Sequence, residues 1–284
     1  MDSVGVVGLG HMGSVLAANL VQYGLPTLTY DALGPERSPE GAAYMGDVAE
    51  MVLRADVVVF SLPDGSASEQ VAGQVLAAAD RRTTHVVDTS TIGPAAAASV
   101  AALLAGGGLD YVDAPVSGGV AGARARTLAV MFAGSDDACS HVQPVLAGLS
   151  DRRYRVGDRP GMGQALKLAN NFLSATALAA TSEAIAFGRS LGLDMATMLD
   201  VLNVSSGQSA ATSDKFPVQI LTERYAAGFT NSLMMKDVRL YLDAVEESGA
   251  AATMGRVTAS VWERFAVSEP GVDFTRIFPF VEGS

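Results

Sequence analysis

The chain has 284 residues, 49% of them hydrophobic and 17% charged, a composition that supports a sizeable core and excludes a largely disordered protein. Its length fits two modest domains. With 30 acidic and 19 basic residues the formal net charge is −11, which argues against nucleic-acid binding because the summed field repels phosphate backbones. The single cysteine, Cys139, cannot form an intrachain disulfide, and with three scattered histidines it makes no cluster at metal-ligand spacing, so no metal site is expected.

The apolar segments predict a protein without a membrane span. The run Val4–Gly8 follows no basic residue and leads directly into glycines, which favours a strand over a signal peptide. The longest weakly polar stretch, residues 168–187, contains asparagine, serine, threonine and glutamate side chains that insert poorly into lipid. We therefore expect a cytoplasmic location.

Residues 1–160 alternate short β-branched runs with alanine-rich stretches. Continuous apolar runs with helices between them are typical of a parallel sheet covered on both faces, so this region is predicted to be an α/β domain. The predicted strands are Val4–Val7, Leu28–Tyr30, Val57–Leu62, His85–Asp88 and Tyr111–Pro115.

From residue 161 onward such runs stop and apolar residues recur at three- and four-residue spacing, which predicts an all-helical region. The predicted helices are Leu166–Leu191, Met195–Leu202, Leu233–Glu247 and Thr253–Phe265. A proline and two glycines at residues 160–163 mark the change of pattern. We expect two domains, residues 1–160 and residues 161–284, joined by the first of these helices.

The segment Gly8–Gly13 follows the first predicted strand and opens a helix predicted over Ser14–Tyr23, the setting in which G-x-G-x-x-G indicates dinucleotide binding. Gly8 permits the tight turn, Gly10 lets the backbone approach a pyrophosphate, and Gly13 allows close packing of helix on strand. The alternative is an ordinary glycine-rich turn. Together with the α/β pattern, the motif favours a Rossmann-like NAD(P)-binding domain.

Asp31 ends the second predicted strand, 18 residues after Gly13. A carboxylate at this position accepts hydrogen bonds from a ribose 2′-hydroxyl and repels a 2′-phosphate, which favours NAD over NADP. Arg37 leaves NADP open, because a guanidinium on a loop that folds back pairs with a 2′-phosphate.

The chain contains sixteen arginines but only three lysines, Lys167, Lys215 and Lys236. A desolvated lysine can give up a proton near neutral pH, whereas arginine cannot, so the lysines are candidates for chemistry. The alternative is that a GC-rich genome replaced most lysines and these three survived by chance. Lys167 and Asn171 lie four residues apart on one face of the predicted long helix, with Gly163 one turn earlier leaving that face open, which favours a proton donor beside a substrate-binding amide.

A second candidate constellation is Asp113–Gly119, at the end of the fifth predicted strand. Open parallel sheets bind ligands at their strand ends, and the turn Ser117-Gly118-Gly119 exposes backbone N–H groups that can hold a carboxylate. The alternative is an ordinary turn.

Taken together, these segments resemble the β-hydroxyacid dehydrogenase family, which includes 3-hydroxyisobutyrate dehydrogenase and tartronate semialdehyde reductase. The resemblance runs the length of the chain, and its motifs follow the family's order. They are Gly8–Leu20, Ser61-Leu62-Pro63, Asp88–Pro94, Asp113–Gly119, Gly161–Asn171 and Leu233–Val238.

The resemblance implies a Rossmann-like domain followed by a helical substrate and oligomerisation domain, in a homodimer or homotetramer. It implies that Lys167 is the catalytic acid/base. It further implies substrate binding by Ser117, Gly118, Gly119 and Asn171, and cofactor binding by Gly8, Gly10, Met12, Gly13, Asp31, Leu62, Pro63, Thr91 and Lys236. The implied reaction is hydride transfer between NAD, or NADP, and a small 3-hydroxy acid or the corresponding semialdehyde or ketone.

Two departures from the family pattern bear on the substrate. Members acting on 3-hydroxyisobutyrate tend to carry a bulky aromatic residue where this chain has Ala210, which predicts a larger or more polar substrate. Arg126 stands where the family usually has glycine, and it either adds a cation near the site or lies on the surface.

Two other functions remain open from the sequence. Imine reductases share this fold but usually have a different residue at the position of Lys167. A non-catalytic NAD-binding scaffold would tend to lose the lysines, whereas this chain keeps both Lys167 and Lys236.

Overall fold

The computed structural model describes residues 3–283 and divides into two compact units, Met1–Lys167 and Leu168–Ser284, called here the first and the second unit. The division falls inside the longest helix. Residues 1 and 2, whose lack of basic charge entered the argument against a signal peptide, lie outside the described residues.

The first unit contains a nine-stranded sheet. Its strands are β1 (Val4–Val7), β2 (Thr27–Tyr30), β3 (Ala43–Tyr44), β4 (Val57–Phe60), β5 (His85–Asp88), β6 (Asp110–Asp113), β7 (Val116–Ser117), β8 (Ala129–Ala133) and β9 (Arg152–Gly157). The order is β3-β2-β1-β4-β5-β6-β8-β7, and β9 pairs with β8. All pairs from β3 to β6 are parallel, whereas β8 is antiparallel to β6 and β7.

The register of the parallel strands aligns their carboxyl ends. Val7 pairs with both Tyr30 and Phe60, Phe60 pairs with Asp88, and Asp88 pairs with Asp113. The segments that leave β1, β2, β4, β5 and β6 therefore start from one edge of the sheet, the edge at which open α/β sheets bind ligands.

Helices cover both faces of this sheet. They are α1 (Gly13–Gln22), α2 (Val48–Val52), α3 (Gly65–Ala77), α4 (Pro94–Gly106), α5 (Gly119–Arg124), α6 (Asp136–His141), α7 (Gln143–Leu149) and the start of α8 (Met162–Ser190). The local sequence explains where several of these helices begin. Asp47 and Asp64 accept hydrogen bonds from the first-turn N–H groups of α2 and α3, and Pro94 occupies the first turn of α4, where its missing N–H costs nothing.

Two separate apolar cores form on the two faces. Val4 and Val6 of β1 pack with Leu16 of α1 and with α7, while Val7 packs on the opposite side with α2, α3 and α4. Burial on both faces explains why the central strands are continuous valine runs rather than alternating ones.

The second unit is helical. It contains the rest of α8, α9 (Met195–Asn203), a π-helical segment (Ala211–Ile220), α10 (Asn231–Ser248), α11 (Thr253–Ser268), a 3₁₀ turn (Phe274–Arg276) and α12 (Ile277–Glu282). Its core is built around Trp262 and Phe265 of α11 and Phe216 of the π-helical segment, all fully buried. The Trp262 indole N–H donates to the Ala175 carbonyl of α8 at 3.2 Å, which satisfies the polar atom of this large buried ring.

The predicted fold class is confirmed: a Rossmann-like α/β region is followed by a helical region that begins with a long helix. The sheet is not wholly parallel, however. Four strands have no counterpart among the predicted ones. Strands β3 and β7 are only two residues long, Ala129–Ala133 has one β-branched residue, and Arg152–Gly157 is rich in arginine.

Candidate active site

In the glycine turn between β1 and α1, two of the three glycines have no room for a side chain, and the third does. Gly8 has φ +94°, and a Cβ there would lie 2.3 Å from the Ser61 carbonyl oxygen. A Cβ at Gly13 would lie 1.9 Å from the Gly8 carbonyl oxygen, so only glycine fits. A Cβ at Gly10 would meet no atom of the described residues within 4 Å. The turn therefore packs tightly against the sheet and leaves room at Gly10, which fits a pyrophosphate.

The start of α1 is suited to an anion. Met12 occupies the N-cap position, where no side chain of the described region caps the helix, and the first turn contains no acidic residue. The positive end of the helix is therefore available to a bound phosphate.

Asp31 lies against the glycine turn. Its Oδ2 accepts a hydrogen bond from Leu9 N at 2.5 Å and its Oδ1 accepts one from Leu33 N at 2.8 Å. Each carboxylate oxygen keeps a lone pair for a ribose hydroxyl. Arg37 is exposed and lines, with Arg124, a cavity of about 370 Å³ beside α1.

Leu62, Pro63 and Thr91 lie on the segments that leave β4 and β5. Ser90 links the two segments, because its hydroxyl accepts a hydrogen bond from Leu62 N at 2.8 Å. Leu62 and Thr91 are half-buried, whereas Pro63 is exposed. They thus lie at the sheet edge that also carries the glycine turn.

The Ser117-Gly118-Gly119 turn is the junction of β7 and α5. Ser117 ends the strand, Gly118 has φ +134°, and Gly119, with φ +64°, begins the helix. The φ of Gly118 is one that side chains rarely adopt, and the left-handed φ of Gly119 favours glycine.

Lys167 lies on the second turn of α8 and is 8% exposed. Of the three lysines it is the buried one, since the side chains of Lys215 and Lys236 are 31% and 27% exposed and pair with Asp214 and Asp237. The expectation that Gly163 leaves the helix face open is wrong. A Cβ at Gly163 would lie 2.5 Å from the Met131 carbonyl oxygen and 2.8 Å from Asp113 Oδ2, so this glycine permits close packing of α8 on the sheet.

Asp113 caps α8 from the end of β6, a role that the sequence reading missed. Its Oδ1 accepts from Gly161 N at 3.0 Å and its Oδ2 accepts from Gln164 N at 2.9 Å. Burial raises the pKa of Asp113 to about 6 despite these hydrogen bonds. The neighbouring Asp88 is fully buried, and desolvation likewise raises its pKa above the usual range for a carboxyl group.

In the second unit, Asn171 and Lys236 meet at Asp237. Asn171 Nδ2 donates to Asp237 Oδ2 at 2.6 Å, and Lys236 Nζ lies 3.1 Å from Asp237 Oδ1. Asn170 Nδ2 donates to Asn171 Oδ1 at 3.1 Å. The sequence reading did not select Asp237, although its adjacency to Lys236 in Leu233–Val238 was a signal for it.

Arg126 is a structural residue. Its guanidinium donates to the Ala147 and Gly148 carbonyl oxygens at the end of α7, pairs with Asp151 at 3.0 Å and lies over the Tyr23 ring. Its φ of +57° is a left-handed conformation that glycine adopts more readily than arginine. The Arg126 guanidinium is thus half-buried and bound to the end of α7.

Comparison with known proteins agrees with this geometry. A family model described as the NAD binding domain of 6-phosphogluconate dehydrogenase matches residues 3–157, and one described as NAD-binding of NADP-dependent 3-hydroxyisobutyrate dehydrogenase matches residues 161–280. A probable 3-hydroxyisobutyrate dehydrogenase of Mycobacterium tuberculosis is 35% identical, covering 98% of this chain and 97% of the relative. The chain belongs to the β-hydroxyacid dehydrogenase family.

Other comparisons agree with this membership. The 2-(hydroxymethyl)glutarate dehydrogenase of Eubacterium barkeri is 34% identical over 92% of this chain and 88% of its own length. The solved structure of a Mycobacterium tuberculosis 3-hydroxyisobutyrate dehydrogenase with L-serine has a TM-score of 0.91 at 34% identity, with 99% of each chain covered. The protein is accordingly an NAD(P)-dependent oxidoreductase of the family, which acts on CH–OH donors.

The described residues were also compared with the features of membrane spans and metal sites. None of their helices is both long and apolar enough to cross a membrane. Among residues 3–283, no three histidine, cysteine or acidic side chains come together as metal ligands.

Proposed function

We propose that this enzyme transfers a hydride between NAD(H) and a 3-hydroxy acid or the corresponding semialdehyde or ketone, with Lys167 as the general acid/base. The observation that carries the proposal is the burial of Lys167, at 8% exposure, in a chain that has sixteen arginines and only two other lysines, both of them more exposed. A lysine withdrawn from water on the first turns of a helix is suited to proton transfer rather than to a surface ion pair.

The proposed roles of the chain's residues follow from their chemistry. Bound NAD(P) supplies or accepts the hydride. The Gly8–Gly13 turn holds the pyrophosphate, Asp31 the adenosine ribose, and Leu62, Pro63, Thr91 and Lys236 contact the rest of the dinucleotide. Ser117, Gly118 and Gly119 bind the substrate carboxylate through backbone N–H groups, and Asn171 orients the substrate.

In the proposed mechanism, Lys167 donates the proton in one direction and accepts it in the other. During reduction, negative charge develops on the carbonyl oxygen, and the Lys167 ammonium donates a proton to that oxygen. During oxidation, the neutral amine removes the hydroxyl proton. Acid–base help of this kind contributes about 10²–10⁴ in rate.

We propose NAD as the preferred cofactor, because the Asp31 carboxylate lies beside the glycine turn where a 2′-phosphate would be repelled. Arg37 is the residue through which NADP could still bind. A comparison of kcat/KM for NAD and NADP in the wild type and in Arg37→Gln separates the two cofactors.

We propose a substrate larger or more polar than 3-hydroxyisobutyrate. Two observations support this: Ala210 is a small, exposed side chain at the start of the π-helical segment, and the Eubacterium barkeri relative is named for a substrate with a second carboxylate. A panel of 3-hydroxy acids tests the point, and a best kcat/KM with 3-hydroxyisobutyrate would contradict it.

The domain division at residues 160 and 161 and a dimeric or tetrameric assembly remain proposals. The exposed apolar side chains Leu173 and Phe187 of α8, and Leu191 just after it, support an assembly through the helical region. Light scattering on the purified chain measures the subunit number.

The Lys167→Ala variant tests the central claim. We expect turnover to fall by about 10²–10⁴ while the Kd for NADH stays within about threefold of wild type. Lys215→Ala is the matched control, because Lys215 is partly exposed and pairs with its neighbour Asp214. Wild-type turnover in Lys167→Ala would remove this residue from the mechanism. Reduction of cyclic imines without hydroxy-acid turnover would instead assign the chain to imine reductases, and cofactor binding without any turnover would assign it to scaffolds.

A further inference from the structure

The start of α8 is held by side-chain hydrogen bonds as well as by its own backbone. Besides the Asp113 cap, the Gln164 side chain, which is fully buried, bonds to the segment between β5 and α4. Gln164 Oε1 accepts from Ile92 N at 3.0 Å and from Gly93 N at 3.2 Å. Gln164 Nε2 donates to the Ser90 carbonyl oxygen at 2.9 Å.

These three bonds surround one candidate residue. Ser90 precedes Thr91, and Ile92 and Gly93 follow it, so Gln164 fixes the backbone on both sides of Thr91. The same segment holds Leu62, because the Ser90 hydroxyl accepts from Leu62 N. One amide side chain thus connects α8 with the two segments that carry the proposed cofactor contacts Leu62, Pro63 and Thr91.

Gln164 and Lys167 are close together on the same rigid helix, α8. Gln164 lies three residues before Lys167, which is about 4.5 Å along a helix axis. Both lone pairs of Oε1 are engaged, so an apolar replacement would leave two buried N–H groups without this acceptor. Gly163 brings the α8 backbone against β8 and β6 at the same level, which limits any sliding of the helix.

We propose that Gln164 is a positioning residue that keeps Lys167 in register with the Thr91 segment. The proposal rests on the proposed function, in which Lys167 moves the proton and the Thr91 segment contacts the cofactor. Gln164 itself touches neither proton nor hydride; it sets the distance between Lys167 and the segment that contacts the cofactor.

The Gln164→Met variant keeps the length of the side chain and removes all three hydrogen bonds. We expect kcat to fall about 10- to 100-fold, because small displacements of a catalytic group have effects of this size, while the KM for the hydroxy acid changes less than threefold. The solvent deuterium isotope effect on kcat should rise, because proton transfer from a displaced amine becomes slower relative to other steps. A merely structural role would lower the Tm without moving the isotope effect.

Two more variants keep the test decisive. Gln164→Glu retains an acceptor for Ile92 N and Gly93 N, so its kcat should lie between those of wild type and Gln164→Met. Should Gln164→Met fail to fold, Gln164→Asn replaces it, because it keeps the amide but is one methylene too short to reach. Wild-type kcat and isotope effect in either variant would overturn the proposal.

The control is Ser150→Ala. Ser150 is also fully buried and its hydroxyl also joins two segments, donating to the Leu128 carbonyl oxygen at 2.7 Å, but it belongs to no proposed site. We expect a lower Tm with unchanged kcat. Loss of turnover in Lys167→Ala combined with wild-type behaviour in Gln164→Met would refute the positioning role alone, whereas wild-type turnover in Lys167→Ala would refute the proposed function beneath it.

Discussion

Asn171 donates a 2.6 Å hydrogen bond to one oxygen of Asp237, while the other oxygen of this carboxylate lies 3.1 Å from the ammonium of Lys236. Asp237 is 2% exposed, and its Oδ1 makes no hydrogen bond within residues 3–283, so the contact with Lys236 is an ion pair alone. One buried carboxylate therefore orients both an amide and a cation of the proposed site.

The Asp237→Asn substitution keeps the shape of this side chain and removes its charge. Lys236 then loses its ion partner, and Asn171 faces an amide instead of a carboxylate. We expect kcat/KM to fall about 10- to 100-fold, since a misplaced contact is costly at a reacting centre. Steady-state kinetics measures this, with Asp243→Asn on the exposed face of α10 as control. Equal kcat/KM in the two variants would mean that Asp237 does not orient the site.

The raised pKa of Asp113 predicts a specific pH dependence of stability. The pKa of this carboxyl is about 6 in the folded protein against an ordinary value of 3.8, so the folded state binds more protons between these values than the unfolded state does. The contribution of Asp113 to the unfolding free energy therefore decreases as pH rises from about 4 to 6. This difference between the two pKa values corresponds to about 3 kcal/mol.

Asp113→Asn lacks this titration. Relative to the variant, the wild type should lose about 3 kcal/mol of unfolding free energy between pH 4 and pH 7. Urea unfolding of both proteins across this range measures the difference. A wild-type minus variant difference that stays constant with pH would contradict the raised pKa.

The Arg126 side chain stabilises the end of α7, although the backbone of Arg126 itself is left-handed. Arg126→Ala loses two charge-assisted hydrogen bonds and keeps the unfavourable φ of +57°, so we expect a loss of about 2–3 kcal/mol of unfolding free energy. Arg126→Gly should lose about 1 kcal/mol less, because glycine adopts this conformation freely. Chemical denaturation measures both, and Arg124→Ala, an exposed neighbour, is the control. Turnover should be unchanged in both Arg126 variants and in Arg124→Ala. A drop confined to the two Arg126 variants would mean that Arg126 contributes to the active site.

Most of the fold was predictable from the sequence because its signals are local. Valine runs such as Val57–Phe60 and the glycine turn at Gly8–Gly13 are set by neighbours in the chain. The tertiary roles of Asp113 and Gln164 were not predictable, because each depends on partners far along the chain. For Asp237, only the contact with the adjacent Lys236 had a local signal, since Asn171 lies 66 positions away. Gln164, for example, bonds to residues more than 70 positions away, and nothing in its own segment shows that its amide is buried against them.

Two matched variants of the glycine turn test its role in packing and its role in cofactor binding separately. Gly13→Ala places a methyl group 1.9 Å from the Gly8 carbonyl oxygen, so the turn must shift, and we expect a loss of about 3 kcal/mol of unfolding free energy. Gly10→Ala meets open space and should leave the Tm unchanged. Its methyl group would occupy the room available to the pyrophosphate, so we expect the Kd for NADH to rise at least about tenfold. Differential scanning fluorimetry and a NADH fluorescence titration measure the two effects, and wild-type NADH affinity in Gly10→Ala would place the pyrophosphate elsewhere.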